Sequence, residues 1–254
     1  MITPWVGISK FRGKMDIVSN NSKNRMSSDK SKIHFVLVAG YSADEQEAAV
    51  LKENLAKQGF SADAISFYGE KYINDFTDLK ISDCIKNISG LINKRAEEYE
   101  NVFGIGISLG GALLLEHAKK KSNLKGIASI GTPFRLSNVR WIKFGQLFLP
   151  LFYFVWRQLQ KIKRLRLSPL GATKIVVDYL EKDLPINLAT IQAPVLLLHS
   201  KKDPVSDYRV LPGYLDQIAS GKKKIIFFEK GNHVIAHDAD LLMRYSLDFF
   251  EIER

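Results

Sequence analysis

Between Ile33 and Phe250 two hydrophobic rhythms take turns along the chain. One is a short run that is apolar at most positions, as in "IHFVLVAG" from Ile33, "NVFGIGI" from Asn101, "LKGIASIG" from Leu124, "APVLLLHS" from Ala193 and "KKIIFFE" from Lys223. Runs of this length and β-rich composition read as buried strands, and "ADAISFYG" from Ala62 reads as another. The second rhythm has the helical period. It covers Asp44 to Gln58, Ile81 to Tyr99, "LGGALLLEHAKK" from Leu109, Tyr208 to Ala219 and Asp238 to Phe250. Strands alternating with helices predict βαβ units: an α/β fold with a mostly parallel central sheet and helices on both faces.

The alternation breaks once, between about Phe134 and Ala193, in a stretch that is aromatic, basic and without a clear strand. It is short for a core of its own, so an insertion over the sheet edge is expected. Residues 1–31 are polar, basic and rich in Ser and Asn, which predicts a flexible N-terminal segment. The expected organisation is therefore 1–31 as a tail, 32–133 with 194–254 as the α/β core, and 134–193 as a helical cap.

Composition narrows the partners. The 254 residues are 46% hydrophobic and carry a formal charge of +10, which suits a folded protein that meets an anionic surface. The bases gather in the tail, at Lys119-Lys120-Lys121, and from Arg157 through Lys161, Lys163 and Arg164 to Arg166. No zinc-ligand spacing or aromatic ribonucleoprotein pattern accompanies them, so no nucleic-acid partner is expected. The lone Cys84 sits among Ile81, Ile85 and Ile88, which reads as a buried structural thiol and leaves no disulfide framework. The first residues lack a signal peptide's apolar core, and Leu147 to Trp156 is too short to span a bilayer. A cytoplasmic protein is expected, a monomer or weak dimer, with peripheral contact at an anionic inner membrane face left open.

The candidate chemistry begins at Gly106-Ile107-Ser108-Leu109-Gly110, between a strand run and a helix run. A serine that attacks a carbonyl must stand clear of the sheet on a sharp strand-to-helix turn, which demands glycine at both flanks, here Gly106 and Gly110. The helix that follows aims unsatisfied N–H groups at the same place. The base should lie in a loop. His34, His117 and His199 fall inside predicted elements and read as structural, whereas His233 follows a strand and Gly231-Asn232. His237, beside the Asp238 that starts the last helix, is the weaker competitor. Asp203, in "KKDPV" after a strand, is the candidate acid that would orient the imidazole, with an Asx-type turn before Pro204 as the alternative reading.

With "VLVAGYS" after the first strand, "GISLGG" at the turn, "SKKDPV" at the acid and "GNHVIAHD" at the base, the chain from Ile33 to Phe250 resembles the α/β-hydrolase superfamily, within it the carboxylesterase and monoacylglycerol-lipase-like serine hydrolases. The resemblance implies an α/β-hydrolase fold, the order Ser108, Asp203, His233 for the triad, and backbone N–H groups of Tyr41 and Leu109 as the oxyanion hole. Ala39 stands where relatives carry His, and Phe67-Tyr68-Gly69 stands where they carry Gly-His-Gly. The resemblance also implies that 134–193 caps the site.

Phe144, Leu147, Leu151, Phe154 and Trp156 are candidate pocket residues for an apolar acyl group. Packing onto the sheet, or dipping into an anionic bilayer beside the neighbouring bases, are the other readings of that run. The expected substrate is a small acyl ester of short to medium chain or a monoacylglycerol, with no metal and no cofactor. A thioesterase or amidase using the same triad, or a lipid-binding protein on a hydrolase scaffold, are the alternatives.

Overall fold

The computed structural model describes residues 29–41, 46–68, 79–120, 122–137, 170–229, 231 and 238–253. Six strands, β1 (Ile33–Val38), β2 (Ser61–Ile65), β3 (Asn101–Ile107), β4 (Leu124–Ile130), β5 (Val195–Ser200) and β6 (Lys223–Phe228), form one sheet in the order β2-β1-β3-β4-β5-β6. All five pairings are parallel. The described helices are α1 (Gln46–Lys57), α2 (Ile81–Glu98), α3 (Leu109–Ala118), α4 (Leu170–Asp178), α5 (Leu211–Gln217) and α6 (Ala239–Phe250).

A parallel sheet needs cover on both faces, because the crossover helices lie there and water is excluded from each side. That is why β1 and β5 are buried at all six of their positions. The pleat still divides the side chains. Val36 and Val38 of β1 join Val195 and Leu197 of β5 in a cluster with α2, α3 and α5. Phe35 and Leu37 join Leu196 and Leu198 in a second cluster with α1 and α6. Each fully buried Leu, Ile or Phe in these layers contributes about 2 kcal/mol of transfer free energy. In β3 the first face carries Gly104 and Gly106, while Phe103, Ile105 and Ile107 face the second cluster. The missing side chains let α3 lie close: a Cβ at Gly104 would come within 3.1 Å of Leu114.

Several boundaries differ from the sequence pattern for local reasons. Lys30–Lys32 forms a 3-10 turn ahead of β1, capped by the Asp29 carboxylate, and the Lys30 ammonium donates to the Gln58 carbonyl at 2.9 Å. The predicted helix from Tyr208 opens instead as a 3-10 turn, Tyr208–Val210, and becomes α5 only at Leu211. Pro212, in the first turn of α5, lacks the N–H that a continuous helix from Tyr208 would use. Asp238 caps α6, its carboxylate accepting from the Leu241 N–H at 3.1 Å.

Of the segment assigned to a cap, residues 138–169 lie outside the described residues. Its later part is built into the core: Val176, Tyr179, Leu180, Leu184, Leu188 and Ile191 are buried with α2 and α3. No helix among the described residues is long and apolar enough to cross a membrane.

Candidate active site

Ser108 stands at the carboxyl end of β3, at the point where the chain reverses into α3. Its backbone sits at φ 50°, ψ −116°, a conformation that costs a residue with a Cβ roughly 1–3 kcal/mol. It is half-buried between the fully buried Ile107 and Leu109. The reversal is tight enough to exclude side chains on both sides. A Cβ at Gly106 would fall 2.4 Å from the Gly111 nitrogen, and one at Gly110 would fall 2.2 Å from the Val38 carbonyl oxygen. Ser108 donates its own N–H to the Ile130 carbonyl at 2.7 Å, which ties the turn to the end of β4.

Two neighbours complete the surroundings. Leu109 opens α3, so its N–H has no intrahelical acceptor and points out of the helix end. The loop after β1 presses on the turn: a Cβ at Gly40 would lie 3.2 Å from the Ser108 Cβ. Tyr41, the next residue, is half-buried, with its ring 5.5 Å from that of Phe67.

Asp203 follows β5, two strands along the same sheet edge. Its side chain is buried. Oδ1 accepts from the Val205 and Ser206 N–H groups at 2.7 and 3.1 Å, so the Asx-type turn expected as the alternative is present. The second oxygen, Oδ2, lies 3.2 Å from His199 Nε2, also buried, without hydrogen-bond alignment. The loop carrying Asp203 is held to the chain leaving β4. Ser137 donates to the Val205 carbonyl at 2.8 Å, Asp207 to the Arg135 carbonyl at 2.9 Å, and the Asp207 carboxylate receives Arg135 and Arg209. Hydrogen bonds from Arg209 and then Arg135 outweigh the cost of burial and hold the Asp207 carboxyl well below the usual carboxylate range.

His233 and His237 lie outside the described residues, as do Phe144, Leu147, Leu151, Phe154 and Trp156. The flanks of the histidine loop are described. Gly231, at φ 117°, accepts at its carbonyl oxygen from the hydroxyl of Ser200, three residues before Asp203, at 2.7 Å. The sheet thus brings Ser108, Asp203, Tyr41 and the residue two before His233 to its carboxyl edge. It sends His34 into β1, His117 to the end of α3 and His199 to the end of β5. The contact of His199 with Asp203 and the Arg135–Asp207 clamp were not read from the sequence. The only trace of the first is the four-residue step from a strand-end histidine to an aspartate. Among the described residues no group of His, Cys, Asp and Glu could hold a metal ion.

No family model matches the chain, and no curated protein does. Solved structures do. One, from a pair of metagenome-derived lipolytic enzymes, aligns over 87% of this chain and 94% of its own, at 18% identity and a TM-score of 0.69. A monoacylglycerol lipase from Paleococcus ferrophilus aligns over 86% and 93%, at 18% identity and 0.63. A bromoperoxidase from Bacillus anthracis aligns over 85% and 91%, at 16% identity and 0.63. These are α/β-hydrolases, and the chain has their fold.

Proposed function

We propose that this α/β-hydrolase-fold chain is a serine hydrolase that cleaves carboxylic esters through an acyl-enzyme on Ser108. The observation that carries the reading is the backbone of Ser108, φ 50° and ψ −116°, at the junction of β3 and α3. Nothing in sheet or helix packing requires a serine in that conformation, whereas a nucleophile gains from it by standing clear of the sheet beside a helix N-terminus. The lipolytic neighbours of the same fold add support, while the bromoperoxidase among them is a reminder that the fold alone does not choose a chemistry.

In this reading His233 removes the Ser108 hydroxyl proton as Oγ attacks the ester carbonyl, and Asp203 stabilises the imidazolium that results. The N–H groups of Leu109 and Tyr41 receive the oxyanion. Collapse expels the alcohol, which leaves with the proton from His233. Water then attacks the acyl-enzyme by the same route and releases the acid. The substrate class is a short- to medium-chain acyl ester or a monoacylglycerol, with Phe144, Leu147, Leu151, Phe154 and Trp156 as pocket residues.

The test is covalent labelling by a fluorophosphonate probe together with hydrolysis of p-nitrophenyl butyrate. Both activities are expected in the wild type and both should disappear in Ser108→Ala. Folded wild-type protein that neither reacts with the probe nor cleaves the ester would overturn the proposal. Matched butyryl ester, thioester and amide substrates then rank the leaving group, the ester being expected to turn over fastest.

A further inference from the structure

Beyond Gly106 and Gly110, which flank the nucleophile, the turn contains a third glycine that the strand-to-helix reversal does not itself demand. A Cβ at Gly111 would fall 2.1 Å from Thr132 Oγ1 and 2.5 Å from Ser129 Oγ. Both hydroxyl residues are buried, at 3% and 1% exposure, in a place where Ala or Val would pack without needing partners. They form an ordered chain of donors. The Ser129 hydroxyl donates to Thr132 Oγ1 at 2.6 Å, and the Thr132 hydroxyl donates to the Ser108 carbonyl oxygen at 2.9 Å. A hydroxyl has one proton to give, so accepting from Ser129 directs the Thr132 proton onto Ser108.

We propose that Thr132 is a positioning residue for the nucleophile, holding the Ser108 peptide plane through its hydroxyl and being aimed by Ser129. The inference rests on the reading of Ser108 as nucleophile. Ser108 has an unfavourable φ and ψ, so its conformation persists only where its surroundings dictate it. Its N–H is fixed by the Ile130 carbonyl. Its C=O receives the Gly111 and Ala112 N–H groups at 3.1 and 3.3 Å, the second beyond the usual range, and the Thr132 hydroxyl at 2.9 Å is the side-chain donor that reaches it from outside α3. The carbonyl's direction is what ψ describes. Losing Thr132 therefore lets the plane rotate toward an ordinary conformation and moves Oγ and the Leu109 N–H together. Thr132 touches neither substrate nor the reacting atoms; it acts through Ser108.

Thr132→Val keeps the shape and removes the donor. Turnover is normalised to the fraction of sites titrated by stoichiometric fluorophosphonate, so that only folded, reactive molecules count. We expect kcat to fall about tenfold, the worth of one well-placed hydrogen bond, with KM within about twofold. The rate of probe labelling should fall in parallel. Thr132→Ser should restore both to within about threefold of wild type, and Ser129→Ala, which leaves Thr132 in place but unaimed, should fall in between. A Thr132→Val protein with wild-type kcat per titrated site would overturn the proposal, even if it melted earlier, since that is all a merely structural role predicts. If Thr132→Val does not fold, Ser129→Ala decides by the same measure. A wild type without Ser108-dependent labelling would instead sink the hydrolase reading, a separate result.

Discussion

Serine and aspartate stand at both edges of this sheet, and at one of them a histidine bridges the two. At the amino edge His34 of β1 bridges Ser61 Oγ at 2.9 Å and Asp63 Oδ2 at 3.1 Å, both on β2. At the carboxyl edge Ser108 and Asp203 leave β3 and β5, and the His233 loop follows β6. Each member of the amino-edge group is held by further contacts, and that argues against its having any catalytic role. Ser61 lies inside a strand, its hydroxyl also contacts the Tyr99 hydroxyl at 3.1 Å, and Arg95 Nε sits 2.6 Å from Asp63. Among the described residues no α-helix begins beside it to aim a row of N–H groups at an oxyanion. On the proposed reading, what separates Ser108 from the structural Ser61 is the backbone that carries it, a strained strand-to-helix reversal in one case and the interior of β2 in the other.

The comparison breaks most sharply under paired alanines. On the proposed acyl-enzyme mechanism, Ser108→Ala should lower ester hydrolysis by a factor of about 10³ or more, because it removes the covalent path. Ser61→Ala should stay within about twofold of wild type per folded molecule. Equal losses would mean that the backbone criterion is wrong.

Next in size is the space at the turn. In Gly110→Ala the new Cβ meets the carbonyl oxygens of Val38, the last residue of β1, and of Ala39, the next residue, at 2.2 and 2.7 Å, backbone atoms that cannot move alone. A destabilisation of about 3 kcal/mol is expected from urea unfolding, together with lost hydrolysis in the molecules that remain folded. Retention of both stability and activity would show that the close approach of α3 to β1 does not constrain the site.

The strands and the turn at Ser108 are legible in the sequence because each is local. Buried parallel strands appear as largely apolar runs, and strand, serine and helix occupy the single unbroken stretch Asn101–Ala118. The amino-edge network was not legible beyond the placing of His34 in a strand. Its partners follow from the register that sets His34 against Ser61, and an apolar run says nothing about register. The same limit hid Thr132, His199 and the Arg135–Asp207 clamp, which join residues of kinds found in any loop. The spare glycine at Gly111 was the one local hint, since it makes room for hydroxyls that lie 18 and 21 positions onward.

Acid should distinguish the edges next. Burial outweighs the nearby Asp63 carboxylate and holds His34 below the ordinary imidazole range. Burial, with Lys120 adding to it, holds His117 at about 4, at the far end of α3 from Ser108. The unfolded chain protonates both near pH 6.5. Their contribution to stability is therefore complete above that pH and is lost as the pH falls toward the folded values, with His117 accounting for up to about 3 kcal/mol between pH 6.5 and 4. Urea unfolding at pH 7.5, 5.5 and 4.5 should show the decline, and His117→Gln or His34→Gln should each make it shallower. A wild type equally stable at pH 4.5 and 7.5 would rule the argument out.

The smallest expected effect is the most selective test of the amino edge. Tyr99→Phe removes one hydroxyl contact to Ser61 while keeping the ring whose centroid lies 4.5 Å from that of His34. The loss should be about 1 kcal/mol, the usual net worth of a neutral hydrogen bond, read as a lower urea midpoint with an unchanged slope. Ester hydrolysis and probe labelling should not move, because Tyr99 lies beyond the carboxyl terminus of α2, on the edge opposite Ser108. A change in labelling rate would mean that strain passes from the first group to the second through β1, which hydrogen-bonds β2 on one side and β3 on the other. In that case the two groups would form one coupled system, and the Ser61–His34–Asp63 cluster would have to be counted among the parts that position Ser108.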